Sequence, residues 1–339
     1  MSRYYSMIII AISSALLFYS CGKSHSEEVV QNDNSDKEIE ELPIKKDKQL
    51  SYSQQVIANY QVYAMPTPAS LTFAGEKVPL QNIIVKEALD RELHSNTYWH
   101  SNTFYYLKRA NRWFPVIEKI LEEQGIPDDF KYLAVIESGL LNVTSPSGAK
   151  GFWQFMKKTA LGHSLEVSED VDERLHLEKA TMAACEYLKT SYNKFGNWTL
   201  AAASYNMGKA GLNGQLAKQK ADNYYDLLLN IETGRYVYRI LAVKCIFENP
   251  QQYGFNFRQE DLYPPYQTKT IEVDSSITNI VNFAHEAGTN YKTLKMLNPW
   301  LRTNKLDNSS GKVYELLIPV SGEGLDQVGE FSMKFVQND

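Results

Sequence analysis

A glutamate closes the run Tyr132-Leu133-Ala134-Val135-Ile136-Glu137-Ser138-Gly139, at the end of an otherwise apolar helical segment. A carboxyl held against apolar neighbours loses solvation in its charged form, and its pKa rises. A raised pKa keeps a glutamic acid protonated near neutrality, ready to serve as a general acid. The plainer alternative is a helix-end side chain that reaches water or caps a backbone group. Four other groups carry polar chemistry in the same region. Ser145-Pro146-Ser147-Gly148-Ala149-Lys150-Gly151-Phe152-Trp153-Gln154 forces a loop directly after the carboxylate and follows it with two large aromatics and an amide. Ser204-Tyr205-Asn206 ends an alanine-rich segment. Glu232 and Tyr236 stand four apart and share one helix face. Asp172-Glu173-Arg174 is a charged cluster, read as a structural bridge. A loop folded over an acid, with an aromatic edge and an amide beside it, fits a sugar ring. For Asn206 and Glu232, helix capping or an ion pair accounts for the residues equally well.

The elements that must position these groups are helical. Phe104, Leu107, Phe114, Ile117 and Leu121 recur at helical spacing and mark one buried face. Gly125 ends that helix, and Pro127 helps start the one leading to Glu137. Residues 152–161 read as a helix stopped by Gly162. Ala180, Ala184, Tyr187, Leu188, Tyr192 and Phe195 form another face stopped by Gly196, residues 199–207 a short helix stopped by Gly208, and residues 232–247 the last helix of the block. No period-two run interrupts it, which predicts a compact all-α domain over 80–258. Past Tyr263-Pro264-Pro265-Tyr266 the pattern changes to strand, two short helices and strand, a β-α-α-β module over 266–322 followed by a tail over 323–339.

The amino-terminal stretch reads as a processing signal. Arg3 precedes an apolar run from Met7 to Phe18 that is short for a membrane span, and Ser20-Cys21-Gly22 follows. This has the look of a bacterial lipobox, with residues 1–20 as signal peptide and lipid attached at Cys21. Gly22, rather than an aspartate, directs such a lipoprotein toward an outer membrane, facing the periplasm. Residues 21–79 read as a polar tether and irregular approach. The formal net charge of -5, with no long basic stretch, argues against nucleic acid. Asn32-Asp33-Asn34-Ser35-Asp36 lacks the glycine and glutamate of a calcium loop. His94, His100 and His163 have no metal-like spacing, and no phosphate or dinucleotide motif occurs, so neither metal nor cofactor is expected. Cys185 and Cys245 lie in apolar helical patterns and read as separate buried thiols, with a disulfide as the alternative.

Taken together and in this order, the motifs resemble those of the lytic murein transglycosylases, most closely the membrane-bound lytic murein transglycosylase D family. Glu137-Ser138 matches its Glu-Ser motif. Gly151-Phe152-Trp153-Gln154 stands where Gly-Leu-Met-Gln or Gly-Leu-Trp-Gln is usual, and Ser204-Tyr205-Asn206 where Ala-Tyr-Asn is usual. Glu232, Thr233 and Tyr236 match Glu-Thr-x-x-Tyr. The resemblance implies a goose-lysozyme-like α fold with Glu137 as the single catalytic acid and base. It implies Ser145, Phe152, Trp153, Gln154, Tyr205, Asn206, Glu232 and Tyr236 as substrate-binding residues. The reaction implied is non-hydrolytic cleavage of the MurNAc-β-1,4-GlcNAc bond of peptidoglycan, giving 1,6-anhydro-MurNAc ends. A lipid-anchored, non-catalytic peptidoglycan-binding protein and a lysozyme-like muramidase are the alternatives. The C-terminal module resembles a LysM domain on the strength of its β-α-α-β order and of Leu294, Leu297, Asn298 and Pro299. Asp274-Ser275-Ser276 replaces the usual Gly-Asp, which leaves glycan binding and a structural role both open.

Overall fold

The computed structural model describes residue 51, residues 62–320 and residue 325. The expected signal peptide, Cys21 and most of the expected tether lie outside the described residues. Residues 62–320 belong to one unit.

A two-stranded hairpin opens it, β1 (Thr72–Phe73) antiparallel to β2 (Glu76–Lys77). This hairpin falls within the stretch expected to be irregular. The reason it is ordered is burial: Phe73 inserts fully into the helical core, edge-on to Phe130 at 5.2 Å. Eight helices follow: α1 (Ile83–Tyr98), α2 (His100–Glu123), α3 (Lys131–Ser138), α4 (Lys157–Gly162), α5 (Leu177–Phe195), α6 (Trp198–Met207), α7 (Lys209–Gln219) and α8 (Ile231–Glu248). The face of α2 anticipated from spacing is the buried one, with Leu107, Phe114, Ile117 and Leu121 in the core. α8 is buried along most of its length, from Tyr236 to Phe247. Cys185 on α5 and Cys245 on α8 are buried, unbonded thiols, pushed by burial up to about 12.

The hairpin also fixes α6. Glu76 accepts from the amides of Trp198 and Thr199, while Asn197 accepts from Leu200 N–H. These bonds satisfy donors that a helix start leaves free and place a negative charge at the positive end of the helix. The other end of α6 carries Ser204, Tyr205 and Asn206.

One expected helix is shorter than its pattern. Residues 151–155 form tight turns and the helix begins only at Lys157. Gly151 sits at φ 82° and Gln154 at φ 48°, and Lys150 and Phe155 pair through two backbone bonds, a geometry that excludes helix.

The module consists of β3 (Thr268–Val273), α9 (Ile280–Glu286), α10 (Tyr291–Leu297) and β4 (Tyr314–Pro319). β3 and β4 pair antiparallel, from Thr268 opposite Pro319 to Val273 opposite Tyr314. Its small core of Ile280, Leu294, Leu301, Leu306 and Leu316 is completed by Val171 and Leu175 of the helical domain. Asp170 fastens this seam. Its carboxylate accepts from Thr303 Oγ1 and from Asp307 N–H, and its carbonyl accepts from Arg302 N–H at 2.7 Å. Asp172 N–H donates to the Trp300 carbonyl, and Lys312 reaches Glu166 and Glu173.

Candidate active site

Glu137 stands on the last turn of α3, which Gly139 ends in a left-handed conformation at φ 61°. Only glycine fits there, because an added Cβ would lie 2.5 Å from the Tyr106 ring. Two backbone carbonyls near the acid are held by guanidinium groups. Arg239 of α8 donates to the Ile136 carbonyl at 2.8 Å, and Arg109 of α2 to the Gly139 carbonyl at 2.9 Å. Ser138 Oγ donates within α3 to Ala134 and across to the Phe152 carbonyl, which ties the acid's helix to the following loop. The Glu137 carboxyl keeps some exposure to solvent, yet the protein packed around it raises its pKa to about 7. Burial is the main cause, and Glu232 adds to it. A hydrogen bond from Tyr236 and the charge of Arg239 oppose it. The carboxyl is thus poised to give up a proton and take it back near neutrality.

Tyr236, nearly fully buried on α8, donates its phenol to Glu137 Oε1. Tyr205 donates to the Trp153 carbonyl at 2.9 Å. Burial beside Glu137 holds both phenols well above the usual tyrosine range, so both remain neutral donors. Asn206 and Glu232 meet: Asn206 Nδ2 donates to Glu232 Oε1 at 3.1 Å, while Thr233 Oγ1 donates to Asn206 Oδ1. The pair clamps the end of α6 to the start of α8, and Glu232 remains exposed. We expect Tyr236→Phe to remain folded and to move the alkaline limb of the pH–rate profile upward, because a bond that favours the carboxylate is lost. Turnover should fall roughly tenfold, as for loss of a hydrogen bond to a charged group. A pH profile of product release checks both.

Two serines shape the loop after Glu137. Ser145 accepts from Ala149 N–H, and its hydroxyl lies 3.0 Å from that of Ser147, which holds the turn. Gln154 donates to the carbonyls of Gly151 and Val143, with the residue itself only partly buried. The two aromatics expected to face a sugar do not. Trp153 is fully buried and donates its indole N–H to Thr181. Phe152 is almost as buried and packs edge-on against Trp113 at 5.4 Å. Their faces belong to the core, which leaves no area for stacking a pyranose.

Arg174 governs the loop from below. It grips Asp172 with two bonds of 2.8 Å and donates to the carbonyls of Gly148 and Phe155. The Asp172–Arg174 cluster is therefore the bridge expected, with Lys150 as a third member. Arg109, Arg239 and the loop-holding part of Arg174 belong to no motif in the sequence. Only Arg239 leaves a trace there, three positions beyond Tyr236 on the same helix.

Residues 115–228 match the family described as the transglycosylase SLT domain. Glu137, Ser145, Gln154, Tyr205 and Asn206 fall inside the matched stretch of the SLT domain, whereas Glu232 and Tyr236 follow it. Residues 269–322 match the soluble lytic transglycosylase C-terminal LysM-like domain. The chain is also 25% identical over 254 residues to membrane-bound lytic murein transglycosylase D of Escherichia coli strain K12, which covers 72% of this chain and 54% of that relative. The same protein from a second Escherichia coli strain gives the same figures. The chain spans about half the length of the curated relatives it matches.

Proposed function

We propose that this chain is a peptidoglycan lytic transglycosylase that cleaves the MurNAc-β-1,4-GlcNAc bond without water. The observation that carries the reading is a single carboxyl poised near neutrality, within the stretch that matches the SLT domain and held by a neutral phenol. Glycoside cleavage ordinarily uses two carboxyl groups, one as acid and one as nucleophile or base. Here Glu232 is the other carboxylate acting on Glu137, and it is held by Asn206 at the domain surface. Glu137 therefore performs both proton transfers. Its carboxyl proton goes to the glycosidic oxygen as the C1–O bond breaks, and the acetamido group of the sugar stabilises the cationic carbon. The resulting carboxylate takes the proton of the muramyl 6-hydroxyl, whose oxygen closes on C1. The acid is regenerated and the product carries a 1,6-anhydro ring. Tyr236 favours the carboxylate midway through this cycle, and Arg239 does so through its charge. Gln154, Asn206 and Glu232 offer the exposed polar atoms for the sugar. Purified sacculi digested with the protein should release 1,6-anhydromuramyl fragments, read by mass spectrometry. Reducing-end muramyl products alone would make it a muramidase. No fragments at all would leave a glycan-binding protein.

The amino-terminal motif and the membrane-bound relative support a place of action at the cell envelope. Lipid on Cys21 would hold the enzyme on the outer membrane facing the periplasm. We expect Cys21→Ala to abolish incorporation of labelled palmitate and to release the protein from the membrane fraction. Persistent label would exclude this anchor.

A further inference from the structure

A cavity of about 460 Å³ lies between the helical domain and the LysM-like module. That size falls in the range of small-ligand sites. None of Glu137, Gln154, Tyr205, Asn206 and Tyr236 lines it, so it is separate from the catalytic residues. Arg109, Arg112 and Trp113 of α2 form one wall, Met296 and Trp300 of the module stand in another, and Glu178 is among the lining residues.

Four of the eight described arginines hold a carboxylate, and the two in this cavity do not. Arg174 is paired with Asp172, Arg235 with Glu92, and Arg258 with Glu260 and Asp261. Arg109 and Arg112 have no carboxylate within ion-pair distance among the described residues. Arg109 donates to the Gly139 carbonyl, and Arg112 to the Pro264 carbonyl and the Tyr266 hydroxyl. A guanidinium has five N–H donors, so several remain on each. Arg112 stacks 4.0 Å from the Tyr266 ring centre, which fixes the plane of its fork. Burial pushes both guanidinium groups down, the mark of positive charge desolvated without an anion. Glu178 supplies a negative group, 3.1 Å from His176. The site therefore combines two cations, one anion and apolar walls.

We propose that this cavity binds the peptide stem of the glycan strand, with stem carboxylates on Arg109 and Arg112. This rests on the peptidoglycan reading above. A stem peptide with a diamino acid has the matching pattern of free carboxylates, methylene chains and an ammonium group. The carboxylates face the two forks, the methylenes lie along Trp113 and Met296, and the ammonium faces Glu178. The seam between domain and module then reads the peptide while Glu137 acts on the sugar.

The test uses the full chain and the free tetrapeptide L-alanyl-γ-D-glutamyl-meso-diaminopimelyl-D-alanine. Titration followed by tryptophan fluorescence and calorimetry should show saturable binding. The peptide with amidated carboxyl groups should bind about tenfold more weakly or worse, as expected when charge-assisted bonds are lost. Met296→Trp, which fills the cavity, should lower the ratio of kcat/KM on intact strands to kcat/KM on amidase-stripped strands. Equal binding of the two peptides, no binding of either, or an unchanged ratio in a folded Met296→Trp protein overturns the proposal. If neither kind of strand gives anhydro ends, the transglycosylase reading fails, and the peptide titration still decides the cavity.

Discussion

Glu137→Gln should give a folded protein whose release of anhydromuramyl products from sacculi falls by about 10³-fold or more, since one side chain supplies both proton transfers. A glutamine keeps the size of the side chain and an acceptor for Tyr236 but has no proton to give. A variant of wild-type activity would rule out Glu137 as the acid. The same substitution should change stability in a pH-dependent way. Burial raises the folded pKa of Glu137 from 4.5 to about 7. Its favourable protonated state is present in full below pH 4.5 and is lost as the pH climbs toward 7, because the unfolded chain releases the proton first. Over that window wild type should lose up to about 3 kcal/mol relative to the glutamine variant. Urea melts at pH 4 and pH 8 measure the difference, and equal gaps at the two values would contradict a buried acid.

Gly151→Ala should be the most damaging small substitution in the loop. At φ 82° an alanine is strained, and its Cβ would stand 1.8 Å from the backbone oxygen of Arg174. That oxygen cannot easily retreat, because the Arg174 side chain is locked on Asp172 and on two loop carbonyls. The combined strain and overpacking amount to about 3 kcal/mol, a fall in Tm of about 6–12 °C. If the loop moves instead, Gln154 moves with it and activity falls further than stability. A thermal melt beside a sacculus assay separates the two responses. A variant with both values of wild type would show that the loop has slack the packing does not suggest.

Much of the fold and of the site is legible in the sequence. The Glu137 signal is local, a carboxylate among apolar helix neighbours, and that setting gives the direction of its pKa shift. Spacing from Glu232 places Tyr236, and period and turns place the strand–helix–helix–strand order of the module. The misplaced features have one physical origin. Phe152 and Trp153 look alike as sugar platforms and as core residues until their surroundings are known, and both are core. The positive φ of Gln154 leaves no signature in a residue type that rarely adopts it, so the pattern over 152–161 reads as continuous helix. Arg109 and Arg239 act on backbone carbonyls 30 and 103 positions away, partners that every residue type possesses and no spacing reveals. The hairpin at Thr72–Lys77 is too short to show a period, and it is stabilised by where Phe73 and Glu76 land.

The seam around Asp170 has a consequence for how the chain comes apart. Val171 and Leu175 are shared by the core of the module, and Asp170 is bonded to three of its residues. The covalent link through Tyr263–Tyr266 is thus redundant as a connection, since side chains and backbone on both sides already fasten the two parts. A single protease cut in that link would leave two fragments that travel together on a sizing column and part only when one of them unfolds.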